Sequence, residues 1–241
     1  MRILITCGPA WEPLDGARRL TNHSTGRLGA RLAEAFGAAG AEVSCLRGEG
    51  ATHPAPRGVA ALEGFTTNDD LAARLERLGR RRRFDAVLHA AALCDFRVAR
   101  VTDSAGADAR AAKITSRAGV LRLELEPATK VLPRLRGWFP GARIVGWKYE
   151  LAGTPAEALA LAWRQVREDG VDACVLNGAA HGPGFALCRG DGGIERCRHA
   201  AALAAALWGW LARRPEPKRV APPASRVRVP MISWNAELCP A

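Results

Sequence analysis

Short apolar runs alternate along this chain with segments whose apolar positions recur every three or four residues, and that alternation predicts the fold. Arg2 to Thr6 reads as a buried first strand, Gly8 to Thr25 as a long loop, and Gly26 to Ala39 as a helix. Leu28, Leu32, Ala35, Phe36 and Ala39 share one face of that helix, as a stripe packed on a sheet requires. Gly40 ends it, and Glu42 to Leu46 is the second strand. Such a strand–helix–strand unit calls for parallel pairing. Val59 to Phe65 is the next strand, Thr67 or Asn68 caps a helix running to about Leu78, and Asp85 to Ala90 is a strand again. Residues 97 to 118 show no clear period, whereas Val120 to Glu126 alternates apolar and charged side chains like a half-exposed strand. Ala142 to Trp147 and Ala173 to Asn177 are further strands. Between them, Thr154-Pro155-Ala156-Glu157 opens a helix as a capping box, and Gly170 ends it. Phe185 to Arg198 reads as a hairpin around Asp191-Gly192-Gly193, and His199 to Arg213 as a closing helix. The expected class is α/β: a Rossmann-like, doubly wound, mostly parallel sheet with a C-terminal β-hairpin and helix. Ligands then belong at the carboxyl ends of its strands.

The pattern stops near Arg214. Residues 215 to 241 hold six of the 15 prolines and no periodic apolar face. Residues 1–214 are therefore expected to form one ligand-binding domain. Residues 215–241 are expected to form a Pro-rich C-terminal tail, packed at most on the surface through Trp234. With 241 residues, 48% of them hydrophobic, the chain can bury a sizeable core. No apolar run approaches the ~20 residues of a membrane span, and the opening residues lack a signal peptide's apolar region and cleavage site. A soluble cytoplasmic protein without a membrane partner is expected. Seven cysteines without a CxxC pair and five scattered histidines argue against disulfides and against a protein-built metal site. The formal net charge of +11 is carried almost wholly by arginine, which favours anionic partners. The aromatics do not interleave with the basic residues as a base-stacking platform requires, so no nucleic acid is expected. Arg80 to Arg83 reads as a solvated helix end.

Candidate chemistry gathers after the first strand, at the first helix start, after the 85–90 strand and in the loop that follows. Thr21-Asn22-His23-Ser24-Thr25-Gly26 brings polar side chains and free backbone N–H groups to a helix start, where phosphate binds well. The bland alternative is an ordinary N-cap by Ser24 or Thr25. Neither GxGxxG nor a P-loop is present.

Glu12-Pro13-Leu14-Asp15, then Arg18, then Thr21 to Gly29 (TNHSTGRLG) resembles the hallmark segment of phosphopantothenoylcysteine synthetases. Ala91-Ala92-Leu93-Cys94-Asp95-Phe96 is similar to that family's AAVADF, and Ala111-Ala112-Lys113-Ile114 to the start of its lysine-rich flap. Gly146-Trp147-Lys148-Tyr149-Glu150 resembles GFKxET, and Val175-Leu176-Asn177 resembles VAND, so the likeness covers roughly residues 1 to 213. It implies a ligase that joins 4'-phosphopantothenate to L-cysteine through an acyl-nucleotide, driven by CTP or ATP with Mg2+ carried on the triphosphate. It implies Asn22 at the acyl intermediate, Arg18 organising that site and Lys113 engaging the triphosphate. Gly8, Ser24, Thr25, Gly26, Ala91, Ala92, Asp95, Phe96, Trp147, Lys148 and Asn177 are then the nucleotide- and substrate-binding set. A homodimer, no FMN and a separate decarboxylase in the pathway are the further expectations.

Several positions depart from the family pattern, mostly on the nucleotide side. The flap reads Lys113-Ile114-Thr115-Ser116, without two further lysines. Pro127-Ala128-Thr129 stands for a PDI-like turn, Gly178 for an aspartate and Cys94 for an alanine. Two other readings stay open. One is a relative that binds a nucleotide or a partner protein without catalysis. The other is an NADP-dependent oxidoreductase, with Arg47 accepting the 2'-phosphate, although no Tyr-x-x-x-Lys pair is present.

Overall fold

The computed structural model describes residues 1–115 and 119–213, so Ser116, Trp234 and the Pro-rich tail lie outside the described residues. In chain order the elements begin with β1 (Arg2–Cys7), β2 (Trp11–Pro13), β3 (Arg19–Thr21), α1 (Arg27–Ala38), β4 (Glu42–Gly48) and β5 (Ala61–Phe65). Next come α2 (Asn68–Arg81), β6 (Ala86–His89), β7 (Phe96–Thr102), β8 (Arg122–Pro127), α3 (Leu135–Trp138) and β9 (Arg143–Tyr149). The chain continues through α4 (Pro155–Glu168), β10 (Ala173–Asn177), β11 (Phe185–Arg189), β12 (Ile194–Cys197) and α5 (Ala200–Ala212).

One eight-stranded sheet runs in the order β12-β11-β10-β9-β6-β1-β4-β5. The six strands from β10 to β5 pair in parallel, and β11 and β12 add the antiparallel hairpin. Strand β1 is central and buried from Ile3 onward. Its side chains alternate between faces, as strand geometry demands. Ile3 and Ile5 join Leu32, Phe36, Leu203 and Leu207 of α1 and α5. Leu4 joins Leu71, Leu75, Leu135 and Ala162 of α2, α3 and α4. Helices thus cover both faces, and the doubly wound expectation holds.

Local chemistry fixes the helix starts. Thr154 and Glu157 close the capping box on α4. The Thr67 hydroxyl accepts from the Asp70 amide at 3.1 Å and caps α2, which frees Asn68 for another task. Caps of this kind stabilise by about 1 kcal/mol. At α1 the N-cap is Gly26, at φ 78°, which has no side chain to cap with, and the Thr25 hydroxyl before it accepts from the Arg27 amide at 3.3 Å. Neither Ser24 nor Thr25 is therefore the N-cap. Gly29, one turn in, lies against Cys7, leaving no room for a Cβ there. That close approach sets α1 down on β1.

Four features differ from the sequence expectation. The loop from Gly8 to Thr25 contains the ribbon β2–β3, whose three-residue strands are too short to show a period. The aperiodic stretch contains β7, which pairs with β8 as a ribbon apart from the main sheet. Strand β8 is exposed along its whole length, so its alternation of Leu and Glu does not mark a buried face. The short α3 and the 3-10 turn before it, Leu132–Arg134, carry too few residues to announce a helical stripe. No helix among the described residues is long and apolar enough to cross a membrane.

Candidate active site

The sheet order reverses at β1, which has β4 on one side and β6 on the other. A crevice is expected at the carboxyl ends of two such strands, and backbone hydrogen bonds stitch its lips together. The Ala92 amide donates to the Gly8 carbonyl at 3.0 Å, and the Ala10 amide to the Ala92 carbonyl at 2.9 Å. Gly8 takes φ 82°, and a Cβ there would come within 2.9 Å of the Ala51 methyl carbon. A Cβ on Gly26 would meet the same methyl carbon at 3.0 Å. The turn after β1 and the start of α1 close together because these positions have no side chain.

Ribbon β2–β3 carries the hallmark segment over this crevice. The Asn22 amide nitrogen donates to the Ala92 and Leu93 carbonyls at 3.2 and 2.9 Å. Both of its protons are thereby committed, leaving the side-chain oxygen as the end that can accept. Four residues earlier, Arg18 and Asp15 form a clamp. The guanidinium donates to the Asp15 carboxylate through Nε at 3.0 Å and through Nη2 at 2.5 Å. Nη2 also reaches the Ile114 carbonyl at 2.5 Å, while the Ile114 amide donates to Asp15 at 3.1 Å. The Asp15 side chain is fully covered, and the guanidinium holds its carboxyl well below the usual carboxylate range, helped by three backbone amides. The clamp fixes the flap one residue from Lys113. Arg18, Lys113 and Ala17 line a hollow of about 480 Å³ there.

A second cavity, of about 400 Å³, opens between the loop after β6, the 129–133 loop and α4. Ala91, Asp95, Trp147 and Lys148 line it, as do Asn68, His89, Lys130, Gln165 and Asp169. Asn68 is 1% exposed and braces the wall. Its amide nitrogen donates to the Cys94 and Thr129 carbonyls at 2.8 and 3.0 Å, and its oxygen accepts from the Cys94 amide at 3.1 Å. The Asn68 backbone amide donates to the buried Glu12 carboxylate at 3.3 Å. Burial raises the Glu12 pKa, and that hydrogen bond pulls it back. His89 is buried beside the Thr6 hydroxyl at 2.8 Å, and desolvation lowers its pKa to about 4, so the ring is neutral. Gln165 is 8% exposed, and its amide nitrogen, over Gly146, has no hydrogen-bond partner. At the mouth Lys130 pairs with Asp95 at 2.5 Å, and Lys148 with Glu150 at 3.3 Å. Burial pushes the Cys94 thiol up to about 11, an inert small group where an alanine was expected.

The sequence-nominated residues separate accordingly. Asn22, Gly8 and Ala92 meet at the stitched crevice, with Ser24, Thr25 and Gly26 at the adjoining start of α1, while Ala91 lines the second cavity. Asp95, Trp147 and Lys148 reach the second cavity, although the Trp147 side chain also packs with the core on the α1–α5 face. Phe96 stands 52% exposed at the start of β7. Asn177 uses its backbone carbonyl to accept from the Glu150 amide and does not line the cavity. Gly178, at φ 116°, presses against the Glu150 backbone so closely that a Cβ would overlap its carbonyl. The missing aspartate there has this packing reason. Sequence reasoning missed Asn68, His89, Lys130 and Gln165. Asn68 was visible only as a rival cap, and the other three sit in unremarkable strand, loop and helix patterns.

The model of the DNA/pantothenate metabolism flavoprotein C-terminal domain matches residues 1–191. The chain belongs to that family. It is 32% identical over 176 residues to the coenzyme A biosynthesis bifunctional protein CoaBC of Thermococcus kodakarensis, a match over 73% of this chain and 41% of that protein. It is 29% identical to the CoaBC of Mycobacterium bovis, over 79% of this chain and 45% of that protein. The chain thus spans less than half the length of these family relatives. The fold of the DNA/pantothenate metabolism flavoprotein from Streptococcus pneumoniae superposes with a TM-score of 0.76, at 22% identity, over 88% of this chain and 98% of that one. A Cab2 mutant, H337A, in complex with phosphopantothenate-cysteine gives 0.67 at 20% identity, over 87% and 84%. The family resemblance seen in the hallmark segment holds, and so does the Rossmann-like architecture.

Proposed function

We propose that this family member is a ligase joining 4'-phosphopantothenate to L-cysteine through an acyl-nucleotide, with CTP or ATP as the activating nucleotide. The observation that carries the proposal is the double use of the hallmark segment. Asn22 is tied to the crevice carbonyls, and Arg18 ties the flap beside Lys113. One short ribbon thereby holds the groups proposed for both halves of the reaction.

In the first half the pantothenate carboxylate attacks the α-phosphorus, and the bond to pyrophosphate breaks. Lys113 is suited to follow the leaving phosphates, because its compact ammonium can shift with them. In the second half the cysteine amine attacks the acyl carbon, loses a proton and expels the nucleoside monophosphate. With its nitrogen committed, Asn22 offers its oxygen to hold an amine N–H during that attack. Arg18 acts through the flap, since its guanidinium is engaged by Asp15 and Ile114. The neutral His89, held from behind by the Thr6 hydroxyl, gives the second cavity one polar but uncharged stretch of wall, compatible with a heterocyclic base. Among the described residues no group of three or more His, Cys, Asp or Glu is placed to hold a metal ion. Mg2+ is proposed to travel on the phosphate oxygens, where it would neutralise charge on the triphosphate. A homodimer and a cytoplasmic site of action complete the reading.

The test is pyrophosphate release by the purified chain with phosphopantothenate, Mg2+ and either nucleotide, with and without cysteine. Release that requires phosphopantothenate, with a cysteine adduct of the expected mass, is the expected result and names the nucleotide. Folded protein that releases no pyrophosphate with either nucleotide would overturn the ligase.

A further inference from the structure

Of the 35 Lys and Arg residues in this chain only four are lysine, at 113, 130, 148 and 218. Arginine serves almost everywhere else, on helix surfaces, in ion pairs and at the N-terminal end of the sheet. Lys218 lies outside the described residues, and each of the other three lines one of the two hollows at the carboxyl edge of the sheet. Arg and Lys are not interchangeable where a compact, mobile ammonium must follow phosphate oxygens. Lysines kept at such places in an arginine-dominated chain point to that requirement. Lys113 belongs to the flap, and Lys148 follows Trp147 in a family-like segment. Lys130 belongs to neither.

Lys130 follows directly on Thr129, whose carbonyl Asn68 holds, so its backbone is fixed while its side chain stays 61% exposed. Its ammonium meets the Asp95 carboxylate, itself 76% exposed, across the cavity mouth. Exposed pairs of this kind hold weakly and yield to a competing anion. Asp169, which lines the same cavity, has its pKa raised by burial and by Glu168 and drawn back by Lys148 and Lys130, so both ammonium groups bear on one space. The flap, by contrast, brings one lysine where its family pattern has more.

We propose that Lys130 is a triphosphate-binding lysine, parked on Asp95 and transferred to the nucleotide's phosphates, adding a lysine to the one that the flap brings. The proposal rests on the nucleotide-dependent reading above, but its test needs no turnover. Inorganic tripolyphosphate is titrated by calorimetry into the full chain and into Lys130→Met, Asp95→Asn and the double variant. Loss of one charge-assisted contact weakens binding about tenfold, so Lys130→Met should lower the affinity by that factor. Asp95→Asn should tighten binding about threefold by freeing the ammonium, and should have no effect once Lys130 is gone. Both side chains are exposed, so the variants should keep the parent melting temperature. Unchanged affinity in Lys130→Met, or equal tightening by Asp95→Asn in both backgrounds, overturns the proposal, as does a parent chain that does not bind tripolyphosphate. The predicted binding pattern without pyrophosphate release would sink the ligase and leave Lys130 as a phosphate-binding residue.

Discussion

Asn68 and Gln165 carry the same amide, both are more than nine-tenths buried, and they line opposite walls of one cavity. On the α2 wall every polar end of Asn68 is used, and the Cys94 and Thr129 strands of chain are hung from it. On the α4 wall the Gln165 nitrogen has no partner. Asn22, at the neighbouring crevice, stands between these extremes, with its nitrogen committed and its oxygen free. The difference separates framework from working surface. A saturated amide fixes where two loops lie, and a half-used one is an acceptor or donor waiting for something to arrive. Buried polar groups without partners cost stability, so the α4 wall is one place where the fold tolerates that cost, as it also does at the Trp11 and Trp147 indoles and at His181.

The largest effect should come at Asn22. Asn22→Asp removes both donors and sets a carboxylate against two carbonyl oxygens, so the cysteine step should fall on the order of 10²- to 10³-fold. A pyrophosphate burst followed by accumulated acyl-nucleotide in quench-flow would show it, and an undiminished cysteine step would remove Asn22 from the chemistry. Next comes Asn68→Leu, which strands the Cys94 amide and two carbonyls. A loss of about 3 kcal/mol is expected in urea unfolding, and a loss under 1 kcal/mol would mean the wall is held by other contacts.

His89 sharpens the comparison through pH. Its folded pKa of about 4 lies below the unfolded value of 6.5. Between those values the unfolded chain binds the proton and the folded chain does not. The stability is therefore whole above pH 6.5 and is lost as pH falls towards 4, by on the order of 3 kcal/mol. His89→Leu should flatten that part of the stability–pH curve, and an equally steep curve in the variant would assign the acid lability elsewhere. The smallest effect belongs to Gln165→Leu. Removing an unpartnered donor should leave the melting temperature unchanged or slightly raised, within about 1 kcal/mol. A large loss there would erase the contrast with Asn68.

The strand–helix alternation was legible because β1, β4, β6, β9 and β10 are covered on both faces and read as apolar runs. The β2–β3 ribbon was not, since its strands have three residues each, and neither was β7, whose burial follows no alternation, whereas its partner β8 was read from the alternation of Leu and Glu. Asn22 was legible through a motif whose spacing is fixed by the turns it folds into. Asn68 was seen as a rival cap, and only the Thr67–Asp70 hydrogen bond shows that it is free for the cavity. Gln165 sits on the inward stripe of α4, where a lone amide among alanines gives no signal until Gly146 is placed beneath it. Lys130 was hidden for a different reason: its meaning lies in the scarcity of lysine, not in its neighbours.

Gly29 lets α1 settle onto Cys7, and all six cysteines among the described residues are sealed from solvent. They are also spread across the molecule: Cys7, Cys45 and Cys174 on three parallel strands, Cys188 and Cys197 on the hairpin, and Cys94 at the cavity wall. A thiol reagent can reach each only when its own part of the molecule opens. The chain therefore carries a ready-made set of reporters. The order in which these thiols are alkylated would record which layer lets go first, with no label engineered in.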